Sequence, residues 1–213
     1  PKEINQSTEA ILNLALASGE DLASSAGVAG ATLRAFNLDA SQMSRVADVM
    51  AKSFSSSALD LEKFSVAMPK MAKAAESAGF SLEEATAMLG ILANNGIEAS
   101  TAGTNLRNIF ISMAEKGITL AQAIQEVNNS QDKLTAGTEL FDKRTAVAIL
   151  TLSQSTQAIR DLAKELDLAE GSASEMAKVM DDSVTGAFFR LRSVLEAVQI
   201  AIMKANGRDS GLQ

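Results

Sequence analysis

The chain has 213 residues, 46% hydrophobic and 21% charged, which suffices for one large folded unit or two small ones and argues against wholesale disorder. Its 19 basic and 26 acidic residues give a formal net charge of −7. There is no basic stripe with interleaved aromatics, which argues against nucleic-acid binding as a primary role, because that affinity comes largely from neutralising phosphates. With no Cys and no His, the chain has no disulfide, no thiolate nucleophile, and neither the commonest metal ligand nor the commonest general base near neutral pH.

The apolar residues are mostly Ala, Leu, Ile, Val and Met, with eight Phe and no Tyr or Trp. Such a core suits close helix packing through small side chains rather than a β-sandwich. Pro1-Lys2-Glu3-Ile4-Asn5-Gln6 lacks the basic-then-apolar order of a signal peptide. The sequence opens on Pro rather than Met, as a piece of a longer protein would. Apolar residues at three- and four-residue spacing predict helices over 3–18, 20–36, 41–56, 60–78, 82–95, 101–116, 120–129, 133–152, 155–167, 173–182 and 184–204.

Stop and start signals punctuate this pattern. Gly19 closes the first helix, and Gly79, Gly96 and Gly117 each follow a periodic run, as left-handed C-cap residues do. Gly27-Val28-Ala29-Gly30 is a small-residue patch that predicts close helix–helix contact. Asp39, Asp60, Ser100 and Thr119 are candidate N-caps. Pro69 interrupts the good helical run 59–78 and predicts a kink accommodated by packing, with a hinge as the alternative. Ser81-Leu82-Glu83-Glu84 reads as a capping box. Leu82, Ala85, Leu89, Leu92 and Ala93 line one face of the next helix, from which Glu83 and Glu84 fall away. A single unbroken helix would reach roughly 320 Å at 1.5 Å per residue, but the glycine breaks predict short helices folded on one another.

The last helix differs. Val184, Phe188, Leu191, Leu195, Val198 and Ile202 are spaced 4, 3, 4, 3, 4, a coiled-coil seam of under three heptads. It reads either as a core helix packed on its own domain or as a self-association surface that continues further. The organisation expected is therefore a helical core over 1–182, an amphipathic helix over 183–204 and a loose tail over 205–213. The fold class is all-α, a multi-helical bundle of short helices broken by Gly and ending in a longer amphipathic helix. The apolar runs 146–152 and 197–203 are far short of the ~20 residues a membrane span needs.

The chemistry-bearing residues form no constellation. Glu83/Glu84 and Asp181/Asp182 are helical neighbours about 100° apart and do not converge on one substrate. No Ser sits in a Gly-x-Ser-x-Gly elbow and no His could activate one; a Ser–Lys pair stays open by composition. No Walker A, dinucleotide-binding or EF-hand motif occurs. Lys143-Arg144, Arg190 and Arg192 read as solvated faces or partners of helix C-termini. No catalytic, cofactor-binding or metal-binding residue is named, and no cofactor is expected.

Several ordered motifs carry a family resemblance. They are Leu33-Arg34-Ala35-Phe36-Asn37-Leu38-Asp39-Ala40, Arg45-Val46-Ala47-Asp48-Val49-Met50-Ala51, the Pro69 helix leading to Ala78-Gly79 and the capping box, and the stretch from Leu92 through Gly96 and Gly103 to Arg107. Leu140-Phe141-Asp142-Lys143-Arg144-Thr145-Ala146 and the block from Ala187 to Ile202 follow. Together they resemble the core region of the TP901-type family of phage tail tape-measure proteins, over most of residues 23–204. Asp142 stands where that family usually has Gly, and 118–134 is shorter than usual. The resemblance implies a non-enzymatic structural role in setting tail length and in tail assembly. It also implies location in the virion tail, with assembly in the bacterial cytoplasm. The partners implied are the chain itself and tail-tube, tail-chaperone and baseplate proteins. Two other readings stand beside it. Another helical scaffold or signalling adaptor, self-associating through a coiled coil, would explain the seam but not the ordered motifs. A cell-wall hydrolase would need catalytic residues that the sequence does not offer.

Overall fold

A computed structural model describes residues 2–182, with side chains from Ser7 onward. The described residues form α1 (Lys2–Ser18), α2 (Leu22–Ala35), a 3-10 turn (Ala40–Gln42), α3 (Met43–Ser56), α4 (Leu61–Ser77), α5 (Leu82–Asn94), α6 (Ala99–Lys116), α7 (Leu120–Asn129), α8 (Lys133–Leu140), α9 (Ala146–Gln154), α10 (Thr156–Asp167) and α11 (Ser172–Asp181). No strand occurs among them, in keeping with the all-α expectation. The expected helix 184–204, its seam Val184, Phe188, Leu191, Leu195, Val198 and Ile202, and the tail 205–213 lie outside the described residues.

Local chemistry sets most helix starts. The Asp60 carboxylate accepts from Lys63 N at 2.7 Å, and Asp39 accepts from Ser41 N at 2.9 Å. Both halves of the Ser81/Glu84 box form, at 3.1 and 3.0 Å, and Thr119 makes a second box with Gln122. Asp21 starts α2 in the same way, accepting from Ser24 N at 2.9 Å. Ser100 does not cap α6; Glu98 does, its two oxygens accepting from Ser100 N and Thr101 N at 2.9 Å each. A Glu at the cap position is long enough to loop back onto two amides, so α6 begins earlier than a Ser cap would place it. The amides it receives hold the Glu98 carboxyl below its usual range, and hydrogen bonds from the Ser24 hydroxyl and amide do the same for Asp21. Such groups stabilise the fold above their unfolded values, and that contribution is lost as pH falls through the lowered folded values.

The four expected stops all adopt positive φ: 73° at Gly19, 83° at Gly79, 76° at Gly96 and 62° at Gly117. At Gly96 the chain reverses with Gly96 N on Ala93 O at 2.9 Å and Ile97 N on Leu92 O at 3.0 Å, which satisfies carbonyls that the helix end would leave free. After α2 the left-handed position is taken by Asn37, φ 53°, the one non-Gly residue with positive φ among the described residues.

The expected helix 133–152 is instead two. Phe141 leaves helical backbone at φ −123°, ψ −82°. Asp142 then accepts from Arg144 N at 2.7 Å and Thr145 N at 2.8 Å. A carboxylate at this point serves the amides that open α9, so the turn is made by an Asp rather than a Gly. By contrast, α4 runs through Pro69 without interruption. Pro69 is exposed, on a side of the helix where water can serve the carbonyl its missing amide leaves free.

One buried apolar cluster runs from Ala10 in α1 to Ala173 in α11. The helix at its centre is α5, packed by α3, α4, α6, α9 and α10. Leu82, Ala85, Leu89 and Leu92 are buried as expected, but so are Glu83, Ala87, Met88, Gly90 and Ile91. Periodicity predicts one apolar face, and a helix enclosed on most sides buries more than that face. To one side α1 packs on α2, α3 and α11; to the other α7, α8 and α9 pack mutually, and α9 joins them to α5 and α6. The α4–α6 contact is the most extensive in the described fold. Gly103 lies there: a Cβ on it would sit 2.5 Å from the Ala67 carbonyl oxygen and 2.9 Å from the Ala67 Cα. The Gly27/Gly30 patch makes no such approach. A Cβ at Gly27 would meet nothing within 4 Å, and at Gly30 only the Arg34 guanidinium at 3.5 Å. Instead Gly27 lines an open groove between α2 and α4 with Val28, Ala31, Met68 and Pro69.

Candidate functional site

The polar groups that join distant parts of the chain gather around α3. Arg45 stands in its first turn and reaches Glu83 in the first turn of α5. Nε donates to Oε1 at 2.6 Å and Nη2 to Oε2 at 2.7 Å. The Glu83 side chain is 1% exposed and that of Arg45 is 44% exposed. A carboxylate is tolerated inside the bundle because a planar guanidinium occupies both of its oxygens, while the outer part of the Arg keeps contact with water. The bond to Glu83 raises the Arg45 pKa still further. Glu83 was expected to fall away from the apolar face; it turns inward instead, because α3 brings a cation to meet it.

Three residues on from Arg45, Asp48 does a second job. Its Oδ2 accepts from Gly171 N at 3.0 Å and its Oδ1 from Ala173 N at 2.9 Å. Gly171 is the residue that precedes α11, with φ 83° and no side chain to offer as a cap. Asp48 therefore supplies the cap of α11 from a helix more than 120 positions earlier. Beside these pairs lies Asp167, at the end of α10. Burial pushes its carboxyl up from the ordinary aspartate range, the Glu83 charge pushes the same way, and Arg45 opposes them. Ser44, Arg45, Asp48, Glu83, Asp167 and Glu170 line the shallow cleft these groups share.

The arrangement binds helices to one another and offers little to a substrate. Both Glu83 oxygens face Arg45 and both Asp48 oxygens face amides of the α11 start. Of the acids lining the cleft, only Asp167 and Glu170 stand outside these bonds. Among the described residues no group of three or more His, Cys, Asp or Glu could hold a metal ion. Glu84 points away from Glu83 into its capping box, as their angular separation requires.

The structure does bring one Ser and one Lys together: the Lys70 Nζ lies against the Ser100 Oγ, tying α4 to the start of α6. Lys70 is exposed and Ser100 half-buried, and the Ser100 amide is already given to Glu98. A Ser–Lys nucleophile needs its amine desolvated and an amide free to hold an oxyanion, and this contact supplies neither. Lys143 and Arg144 are exposed, as expected of a solvated face. None of the described helices is long and apolar enough to cross a membrane. Arg45 and Asp48 lie in one of the ordered motifs, but nothing in the sequence names their partners, which stand 38 to 125 positions away.

Comparison with known proteins gives the context. The family profile of phage-related minor tail proteins matches residues 1–205. The tape measure protein of Pneumococcus phage Dp-1 is 28% identical over 230 aligned positions, covering 95% of this chain and 20% of that protein. The probable tape measure protein of Escherichia phage P2 is 26% identical, covering 92% of this chain and 28% of that protein. This chain thus spans between a fifth and three-tenths of the length of these relatives. No solved structure matches. An all-helical chain matched by one family profile over nearly its whole length belongs to the phage-related minor tail protein family.

Proposed function

We propose that this chain is a helical module of a phage tail tape-measure protein of the TP901 type, working by shape and self-assembly in tail-length determination and tail assembly. The observation that carries this reading is coverage: two relatives named as tape measure proteins each match more than nine-tenths of the chain. The cleft supports a non-enzymatic role, since its polar groups are engaged in holding helices together. Its place is the virion tail, reached by assembly in the bacterial cytoplasm. The division into a helical core over 1–182, an amphipathic helix over 183–204 and a tail over 205–213 belongs to the same proposal. So do its partners: a second copy of the chain and the tail-tube, tail-chaperone and baseplate proteins.

The test is an in-frame deletion of this module from the phage's own protein, with tails measured by electron microscopy. Shorter tails of uniform length, or failure to assemble tails, are the expected results. Normal tails of unchanged length would refute both the ruler and the assembly role.

Self-association is assigned to Val184, Phe188, Leu191, Leu195, Val198 and Ile202. Leu195→Asp places a charge in that seam and is expected to weaken association at least tenfold. Sedimentation across concentration checks this, with interference optics because the chain has no Tyr or Trp. Identical sedimentation of wild type and variant would remove the seam from the assembly role and leave the family membership intact.

A further inference from the structure

The turn between α5 and α6 holds the pair Asn95-Gly96, both exposed. In an Asn-Gly pair the Gly nitrogen can attack the Asn side-chain amide, because no Cβ on the Gly hinders the approach. Here the bond from the Gly96 nitrogen to the Asn95 Cγ would form and the Cγ–Nδ2 bond would break. The amide leaves as ammonia, taking the proton lost from the Gly96 nitrogen. Water then opens the succinimide ring at either carbonyl and gives aspartate or isoaspartate. Neither step needs a cofactor or an oxidant.

The closed turn withholds each part of this reaction. The ring contains the Asn95 Cα–C bond, so it closes only when Cβ and the Gly96 nitrogen are nearly eclipsed about that bond. With Asn95 at φ −91° and ψ 13° they stand well apart. The Asn95 Nδ2 donates to Ile91 O at 2.8 Å, which turns the side-chain amide back along α5. The Gly96 N–H donates to Ala93 O at 2.9 Å, which holds the proton that must leave.

We propose that Asn95-Gly96 is a fold-gated modification site: the closed turn blocks deamidation of Asn95, and opening of the turn permits it, one way. The product cannot remake the turn as it was. A carboxylate has no N–H to give the Ile91 carbonyl. It also puts negative charge at the C-terminal end of α5, where the helix dipole disfavours it, with Glu98 three residues on. Isoaspartate adds a carbon to the main chain of the turn that leads α6 into its close approach to α4 at Gly103. The modification therefore marks chains whose α5–α6 turn has been open. This goes beyond the tape-measure reading and does not depend on it.

Peptide mapping by mass spectrometry tests it on the full chain, incubated at mildly alkaline pH in native buffer and in concentrated urea. Conversion at Asn95 should be at least about tenfold slower in native buffer, since it then proceeds only through the open fraction. In urea, where the fold no longer matters, Gly96→Ala should convert more slowly than wild type, because its Cβ hinders the attack. Equal wild-type rates in buffer and in urea would overturn the gate, and no conversion at Asn95 in urea would overturn the site. Asn95→Asp, which installs one of the two products, should unfold at a lower urea concentration than wild type. An unchanged midpoint would overturn the claim that the turn cannot be remade.

Discussion

Gly103→Val should abolish the cooperative folding of this domain, and Gly103→Ala should already lower its stability severely. The Cβ that alanine adds would stand 2.5 Å from the Ala67 carbonyl oxygen, 2.9 Å from its Cα and 3.0 Å from its carbonyl carbon. All three are backbone atoms of α4, so no side chain can swing away to make room. The helices must separate instead, and they form the most extensive contact in the described fold. Moving them apart opens gaps beside Ala67, Leu106 and Phe110, each at most 1% exposed. Overpacking of this kind costs about 1–3 kcal/mol where neighbours can yield, and more where they are backbone. For alanine we expect ~3 kcal/mol or more, a large share of the 5–15 kcal/mol available to a typical domain. Urea unfolding followed by circular dichroism measures it. A Gly103→Ala variant within ~1 kcal/mol of wild type would show that α4 and α6 do not approach this closely. Gly27→Ala, where nothing lies within 4 Å, is the control and should be neutral or slightly stabilising.

Arg45→Met is the second large effect. It strands the Glu83 carboxylate, 1% exposed, without its guanidinium. Removing one partner of a buried pair commonly costs 3–5 kcal/mol. Because Arg45 is 44% exposed, water can partly replace it, and we expect roughly 2–3 kcal/mol. Replacing both, Arg45→Met with Glu83→Met, should recover most of the loss, since an apolar pair of similar size needs no desolvation. A double-mutant cycle by urea unfolding reads the coupling. A single-variant cost near zero would mean that the pair behaves as a surface bridge.

The pH dependence of Arg45→Met has a definite sign. In the wild-type fold Asp167 is already raised by burial and by Glu83, with Arg45 the influence that lowers it. A carboxyl raised in the folded state penalises stability at neutral pH, and the penalty shrinks as pH falls through that raised value. Without Arg45 the penalty grows, so the variant should recover part of its deficit on mild acidification.

The sequence by itself determined the all-α class, most helix starts and the glycine stops, because these are local events. A cap needs a side chain two or three residues from the amides it serves, as at Asp60, Ser81 and Thr119. A left-handed stop needs only a residue without a Cβ, as at Gly96. Two helix boundaries depart from the local pattern: Glu98 rather than Ser100 caps α6, and Asp142 breaks 133–152, because one carboxylate serves two amides in the place of a hydroxyl cap or a Gly turn. The ordered motifs also carried the family resemblance.

What only the tertiary structure decided are the pairings. Glycine permits close approach but does not name the helix that approaches, so Gly27 and Gly30 were expected at a contact that Gly103 makes instead. An Arg and a Glu 38 positions apart are both plausible surface residues until α3 and α5 are laid side by side. Asp48 looks like a solvated charge on an amphipathic helix, and becomes the cap of α11 only because the chain returns there after more than 120 residues. The spacing of residues along one helix fixes that helix's faces, whereas the identity of the facing element depends on how the whole chain buries its apolar surface at once.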